Sequence, residues 1–176
     1  MTEKDFEIKL CKHLRTAAST PSVLSEVRFS KASTTAESLY DLIQDIPYEV
    51  IEDDSRWNPF PKLMIDLTAG VTPDIVLRSK ISGQNRIYIE VKKKRRLGYG
   101  RADSQVLRYL LHLLATTQRY PVSNSKDIRR AVIVAAPTSW FHRTANAEVW
   151  AYFIATHGEL ASAFDVTLGE IHLPES

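Results

Sequence analysis

Apolar positions recur at helical spacing over residues 6–17, and Thr2 with Asp5 three positions later resembles a capping box, so the chain is predicted to open on a helix. Residues 20–35 are rich in Ser, Thr and charge and read as irregular structure. A short helical pattern through Leu39, Leu42, Ile43 and Ile46 follows, and Pro47 ends it. Residues 48–51 read as an extended piece, and the prolines within 57–61 make a rigid loop. The apolar period then shortens. Residues 63–67, 71–78 and 86–93 read as three strands of an antiparallel meander, the last two joined through a Ser82-Gly83-Gln84-Asn85 hairpin turn. Asp103 starts a helix running to about Gln118, with Leu107, Leu110, Leu111 and Leu114 on one face. Residues 131–136 are a continuous apolar run typical of a buried strand. A helix over about 144–156, ended by Gly158, and a strand over 166–173 complete the pattern. The expected fold class is α/β, with a mixed central sheet flanked by helices and a single domain over 1–176.

Composition narrows the classes. With 176 residues, 44% hydrophobic and 25% charged, the chain can bury a core, and six Gly with eight Pro are too few for a low-complexity chain. No apolar run approaches a membrane span, and the opening Met-Thr-Glu-Lys-Asp lacks a signal peptide's apolar segment, so a cytoplasmic location is expected. Cys11 is the single cysteine, which excludes an internal disulfide, a Cys-based zinc site and a Cys-ligated cluster within one chain. The net charge of +2 argues against an indiscriminate polycation.

The charge is unevenly spread, and its chemistry concentrates in one segment. In Tyr88-Ile89-Glu90-Val91-Lys92, strand alternation places Tyr88, Glu90 and Lys92 on one face and Ile89 and Val91 on the other. Asp74, on the neighbouring strand, brings a second carboxylate toward Glu90. Two converging carboxylates suit a hard dication such as Mg²⁺, with Mn²⁺ as an alternative, and such a metal activates water and neutralises charge on a phosphodiester. Residues 86–101 hold seven bases against one acid, placing Arg86, Lys93, Lys94, Arg95, Arg96 and Arg101 where they could track phosphates.

Pro73-Asp74, fifteen intervening residues, then Glu90-Val91-Lys92 resembles the motif of PD-(D/E)xK nucleases, and Gln105-Val-Leu-Arg-Tyr109 resembles the QxxxY motif of their RecB-like branch. The resemblance implies a restriction-endonuclease-like core in αβββαβ order and a Mg²⁺-dependent nuclease, with DNA as the expected substrate. It further implies Asp74 and Glu90 as metal ligands, with the Val91 carbonyl and a first-helix acid assisting. Lys92 would be the catalytic lysine and Gln105 a substrate-orienting group. Glu7 is the first-helix candidate, because it shares the inward face with Leu10, Cys11 and Leu14; Glu37 is the alternative. Gln105, Arg108, Tyr109 and His112 would form a polar stripe toward nucleic acid. The iron–sulfur cysteines of some RecB-like members are absent. Homodimerisation or membership of a larger nuclease complex is also implied.

One geometric demand follows. A two-residue Gly83-Gln84 loop pairs positions whose numbers sum to 167, whereas Asp74 and Lys92 sum to 166, so an odd-length loop, or a bulge near the turn or at Pro73, is required for the two to face each other. Plainer readings compete. An E-x-K on a strand is commonly a solvated ion pair, a basic run is commonly a solvated face, and Trp150 among Val149, Phe153 and Ile154 is a core residue before it is a base-stacking one. Trp57 and Trp140 are further stacking candidates. A non-hydrolysing nucleic-acid-binding module on the same fold, and an interaction protein using the 144–156 helix as a dimer face, are the alternative functions.

Overall fold

The computed structural model describes residues 2–17, 28–31, 48–52, 73–81, 83, 85–93, 103–119 and 130–173. The first helix, α1 (Glu3–Ala17), starts where the sequence predicts. Thr2 Oγ1 accepts the Asp5 N–H at 3.1 Å while Asp5 Oδ2 accepts the Thr2 N–H at 2.6 Å, the reciprocal capping that satisfies otherwise orphaned helix donors. Phe6, Leu10, Cys11 and Leu14 then fall on one buried stripe.

Strands β1 (Arg28–Lys31), β2 (Tyr48–Glu52), β3 (Ile75–Ser79), β4 (Asn85–Val91), β5 (Arg130–Pro137) and β6 (Val166–Leu173) form one six-stranded sheet in the order β1-β6-β5-β4-β3-β2. β2, β3 and β4 are an antiparallel meander, β4, β5 and β6 run parallel, and β1 closes the far edge antiparallel to β6. The meander's first strand is therefore the extended piece at Tyr48, correcting the expectation that placed 63–67 there. That segment, the 39–46 helix, Trp57 and Glu37 lie outside the described residues.

Helix α2 (Asp103–Arg119) connects β4 to β5, and α3 (Thr138–His142) with α4 (Thr144–Ala163) connects β5 to β6. Parallel neighbours need such crossovers. The α1 stripe packs on Ile75, Leu77, Ile87, Ile89, Val91, Ile133 and Ala135. The opposite sheet face, including Val76, Tyr88, Val132 and Val134, packs under α2, α3 and α4. With helices on both faces, β5 is buried along its whole length, which is why its run is continuously apolar instead of alternating.

Three local expectations are corrected. The inward stripe of α2 is Val106, Tyr109, Leu110 and Leu113, while Leu107, Leu111 and Leu114 are only partly covered. The helix is rotated so that polar Tyr109 and His112 face the sheet, because buried partners on β4 await them. Helix α4 passes through Gly158 and ends at Ala163; a Cβ at Gly158 would meet only Ile154 Cγ2 at 3.6 Å, so nothing forces a stop there. Asp165, at φ 56°, makes the turn into β6. Finally, the β3–β4 connection is longer than a two-residue hairpin: Ser79 O accepts the Gly83 N–H at 2.9 Å, Ser79 Oγ accepts the Ile81 N–H at 3.1 Å, and Gly83 takes φ 70°.

Candidate active site

The register between β3 and β4 decides whether Asp74 and Glu90 share a face. Leu77 pairs with Ile87 but Arg78 pairs with Asn85, so a bulge leaves Arg86 as the extra residue near the turn. Beyond the bulge the pairs Ile75–Ile89 and Val76–Tyr88 continue regularly, and one step further sets Asp74 opposite Glu90. The required irregularity is present. Its consequence differs in detail from the expectation, since Asp74 opposes Glu90 itself and not Lys92. Asp74 Oδ2 accepts the Val91 N–H at 2.7 Å, extending the ladder by a side chain where Pro73 supplies no amide donor.

Glu90 and Lys92 point to the α2 side, the face shared by Tyr88. Lys92 Nζ lies 3.2 Å from Glu90 Oε1, and the Tyr109 hydroxyl donates to Glu90 Oε2 at 2.9 Å. The Lys92 N–H donates to Ala135 O at 2.8 Å, tying the residue after β4 to β5. Beside this group the Tyr88 hydroxyl meets His112 Nδ1 at 2.6 Å, and the Tyr88 and Tyr109 rings tilt against one another at 5.8 Å. A buried polar chain thus runs from Lys92 through Glu90 and Tyr109 to the Tyr88–His112 pair.

Burial dominates the electrostatics. It pushes the Asp74 carboxyl up to about 8, with the Glu90 charge adding to the rise, the Val91 N–H opposing it, and Glu7 contributing further. Burial also raises Glu90, against the favourable Lys92 charge and the Tyr109 hydrogen bond. Tyr109 is raised by burial and by the Glu90 carboxylate beside it, and His112 is lowered to about 4 by burial. A cation placed between the buried Glu90 and the partly buried Asp74 carboxylate would relieve the charge penalty on both, so the two donors fit a hard divalent ion.

Helix α1 contributes from the other side of the sheet. Glu7 is buried, as its inward position implies, but its Oε1 pairs with Lys4 Nζ at 2.6 Å. It acts on Asp74 through its charge. Among the described residues no group of three or more His, Cys, Asp or Glu side chains could hold a metal ion, so the expected joining of Glu7 to Asp74 and Glu90 as a third ligand is not formed. The reason is placement: α1 covers the face opposite Glu90. Glu3, which the sequence reading passed over, accepts the Lys93 N–H on Oε2 at 3.1 Å and its charge reaches Glu90. Lying four positions before Glu7, it shares that helix face, which is the signal that could have found it.

Several expected substrate contacts are placed differently. Tyr109 is fully buried and is spent on Glu90, so it does not offer itself to nucleic acid. Arg86 is 3% exposed and sits inside the bulge, which removes it from the basic patch. Trp140 is fully buried with its ring edge on Phe141, and Trp150 stacks on Phe153 at 5.5 Å, so neither is available to bases. Trp150 is equally unavailable as the centre of a dimer face. Arg108 is partly exposed on α2, and Lys93 is partly exposed with Nζ 5.7 Å over the Phe6 ring. Lys94, Arg95, Arg96 and Arg101 lie outside the described residues; Gln105 stands on α2 one turn before Tyr109, and its side chain is likewise outside them.

No family model, curated protein or solved structure matches this chain. No helix among the described residues is long and apolar enough to cross a membrane.

Proposed function

We propose that this protein is a divalent-metal-dependent nuclease acting on DNA. The observation that carries the reading is the meeting of Asp74 and Glu90 on one face at the end of adjacent antiparallel strands, with Lys92 Nζ 3.2 Å from Glu90. With β1, the edge strand that follows α1, set aside, the described order α1, β2, β3, β4, α2, β5, with β5 parallel to β4, is compatible with the αβββαβ order of a restriction-endonuclease-like core. Asp74 and Glu90 would hold Mg²⁺ or Mn²⁺, which supplies an activated water and neutralises charge on the scissile phosphate. Lys92 presents an ammonium where negative charge grows on the phosphoryl oxygens as water adds and the ester oxygen leaves. Tyr109 fixes the Glu90 carboxylate through its hydroxyl. The Val91 N–H holds Asp74, and Glu3 holds the Lys93 amide, so the backbone that presents Lys92 is pinned on both sides.

Purified protein incubated with labelled single- and double-stranded DNA and Mg²⁺ tests this. Cleavage is expected in the wild type and at least about 100-fold slower cleavage in Lys92→Ala, the scale of loss for a transition-state charge contact. Equal rates in the two proteins would discard the assignment. A second reading, a nucleic-acid-binding module without hydrolysis, is favoured by the internal engagement of both carboxylates. It predicts salt-sensitive binding that survives Asp74→Ala and needs no divalent metal.

A further inference from the structure

The parallel half of the sheet repeats the β4 arrangement two strands away. Glu90 pairs in register with Val134 on β5, and Val134 with Glu170 on β6. The next row outward on the same face holds Lys92, tied to β5 through the Ala135 carbonyl, then Ala136, then His172, and β1 places Arg28 at the register position beside His172. Val134 and Ala136 belong to the core under α2 and α4, so Glu90, Lys92, Glu170 and His172 all rise on that side.

The side-chain chemistry repeats as well. Lys92 Nζ stands 3.2 Å from Glu90 Oε1, and His172 Nε2 stands 2.9 Å from Glu170 Oε1. Glu90 Oε2 accepts the Tyr109 hydroxyl from α2 at 2.9 Å, and Glu170 Oε2 accepts the Trp150 indole N–H from α4 at 3.2 Å. Each carboxylate is thus held on one oxygen by a base two residues along its strand and on the other by an aromatic donor from the covering helix. The Phe141 ring stacks on the His172 imidazole at 4.3 Å and 17°, fixing its plane. The outer pair is more open: the His172 and Glu170 side chains are 13% and 18% exposed, against 8% and 5% for Lys92 and Glu90. Nothing in the nuclease reading uses it.

We infer that Glu170 and His172 form a second phosphate-contact point for the same nucleic-acid strand that the Asp74–Glu90–Lys92 group would cut, with His172 the contacting residue and Glu170 and Trp150 its positioning residues. This rests on the nuclease reading. Glu170 engages Nε2, which leaves Nδ1 as the imidazole's other ring nitrogen; an imidazolium carries a donor N–H there as well, suited to an anion, with Glu170 beside it to balance the charge. Two strand spacings separate the two pairs by about 10 Å, a span that one nucleic-acid strand can bridge. Arg143, exposed two residues past the Phe141 that stacks on His172, adds positive charge near the pair.

The test is anisotropy of a fluorescein-labelled single-stranded oligodeoxynucleotide over a series of NaCl concentrations, with EDTA present to suppress cleavage, for wild type, His172→Gln, His172→Lys and Glu170→Gln. Thermal melts accompany each variant. His172→Gln is expected to bind about fivefold more weakly near 0.1 M salt and to flatten the plot of log K against log salt by about 0.7, the loss of one single-strand phosphate contact. His172→Lys, which restores a fixed positive charge, is expected to return both toward wild type, and Glu170→Gln to fall between. Wild-type affinity and slope in His172→Gln, or His172→Lys as weak as His172→Gln, overturns the second site; Mg²⁺-dependent cleavage lost in Lys92→Ala would then still stand for the first. A wild-type chain that neither cuts nor binds overturns both.

Discussion

At Asp74 a carboxylate sits where burial and a second carboxylate penalise its charge, with one backbone N–H and the Lys92 charge opposing that penalty. Its carboxyl is held near 8 in the fold against 3.8 ordinarily, so between those values the unfolded chain has lost a proton that the native state keeps. Stability contributed this way is complete below about 4 and is lost as pH rises toward 8. His112 works in the opposite sense: its imidazole is lowered to about 4 from 6.5, so its contribution is complete above 6.5 and is lost on acidification toward 4. The window from about 6.5 to about 8 therefore separates Asp74, together with the likewise raised Glu90, from His112. Thermal melts in metal-free buffer are expected to show the wild type losing stability across that window and Asp74→Asn losing much less. Parallel losses in the two proteins would assign the effect elsewhere. That Asp74 and Glu90 share a face was legible from spacing and strand alternation once an irregularity was allowed for; that Asp74 stands opposite Glu90 and not Lys92 was not. The Lys92 partner of Glu90 follows from the same alternation, whereas the Tyr109 partner does not, because its hydroxyl reaches Glu90 only once α2 is laid on the sheet.

Helix α1 shows how an element delivers residues to a site. Its first turn is held by the Thr2–Asp5 box, and Glu3, the first helical residue, grips the Lys93 amide. Thr2→Ala is expected to cost about 0.5 to 2 kcal/mol in urea unfolding by removing the cap. Under the nuclease reading it should also slow cleavage by loosening the backbone after Lys92. An unchanged unfolding midpoint would mean that packing of Phe6 and Leu10 alone holds this end. The start of α1 was readable because capping is local chemistry. The rotation of α2 was misjudged because its leucines outnumber its polar residues, and helical periodicity alone did not reveal that Tyr109 and His112 have buried polar partners. Gly158 misled for a related reason: a glycine inside a helix costs about 1 kcal/mol against alanine, too little to stop a helix whose Trp150, Phe153 and Ala161 are buried on either side of it.

Across the molecule, two apolar layers sandwich one sheet, and α4 seals the second of them. Trp150 is 4% exposed, stacks on Phe153 and donates to Glu170. Trp150→Ala is therefore expected to destabilise the fold by about 3 to 5 kcal/mol, with a denaturation midpoint independent of protein concentration. A midpoint that moves with concentration would return Trp150 to a dimer face. The same packing sets Glu170 and His172 in the rows of Glu90 and Lys92, a relation between residues eighty positions apart.

Periodicity, caps and the spacing of Asp74, Glu90 and Lys92 are properties of neighbouring residues, and the amino-acid order was enough to determine α1, β4, β5, the span of β6 and the need for an irregularity between Asp74 and Lys92, though not its place. Which strand completes the meander, which face of α2 turns inward, and that a Glu–His pair stands beside the Glu–Lys pair depend on contacts between distant segments. Those contacts are selected by sheet register and by the burial of both sheet faces, and no local pattern encodes them.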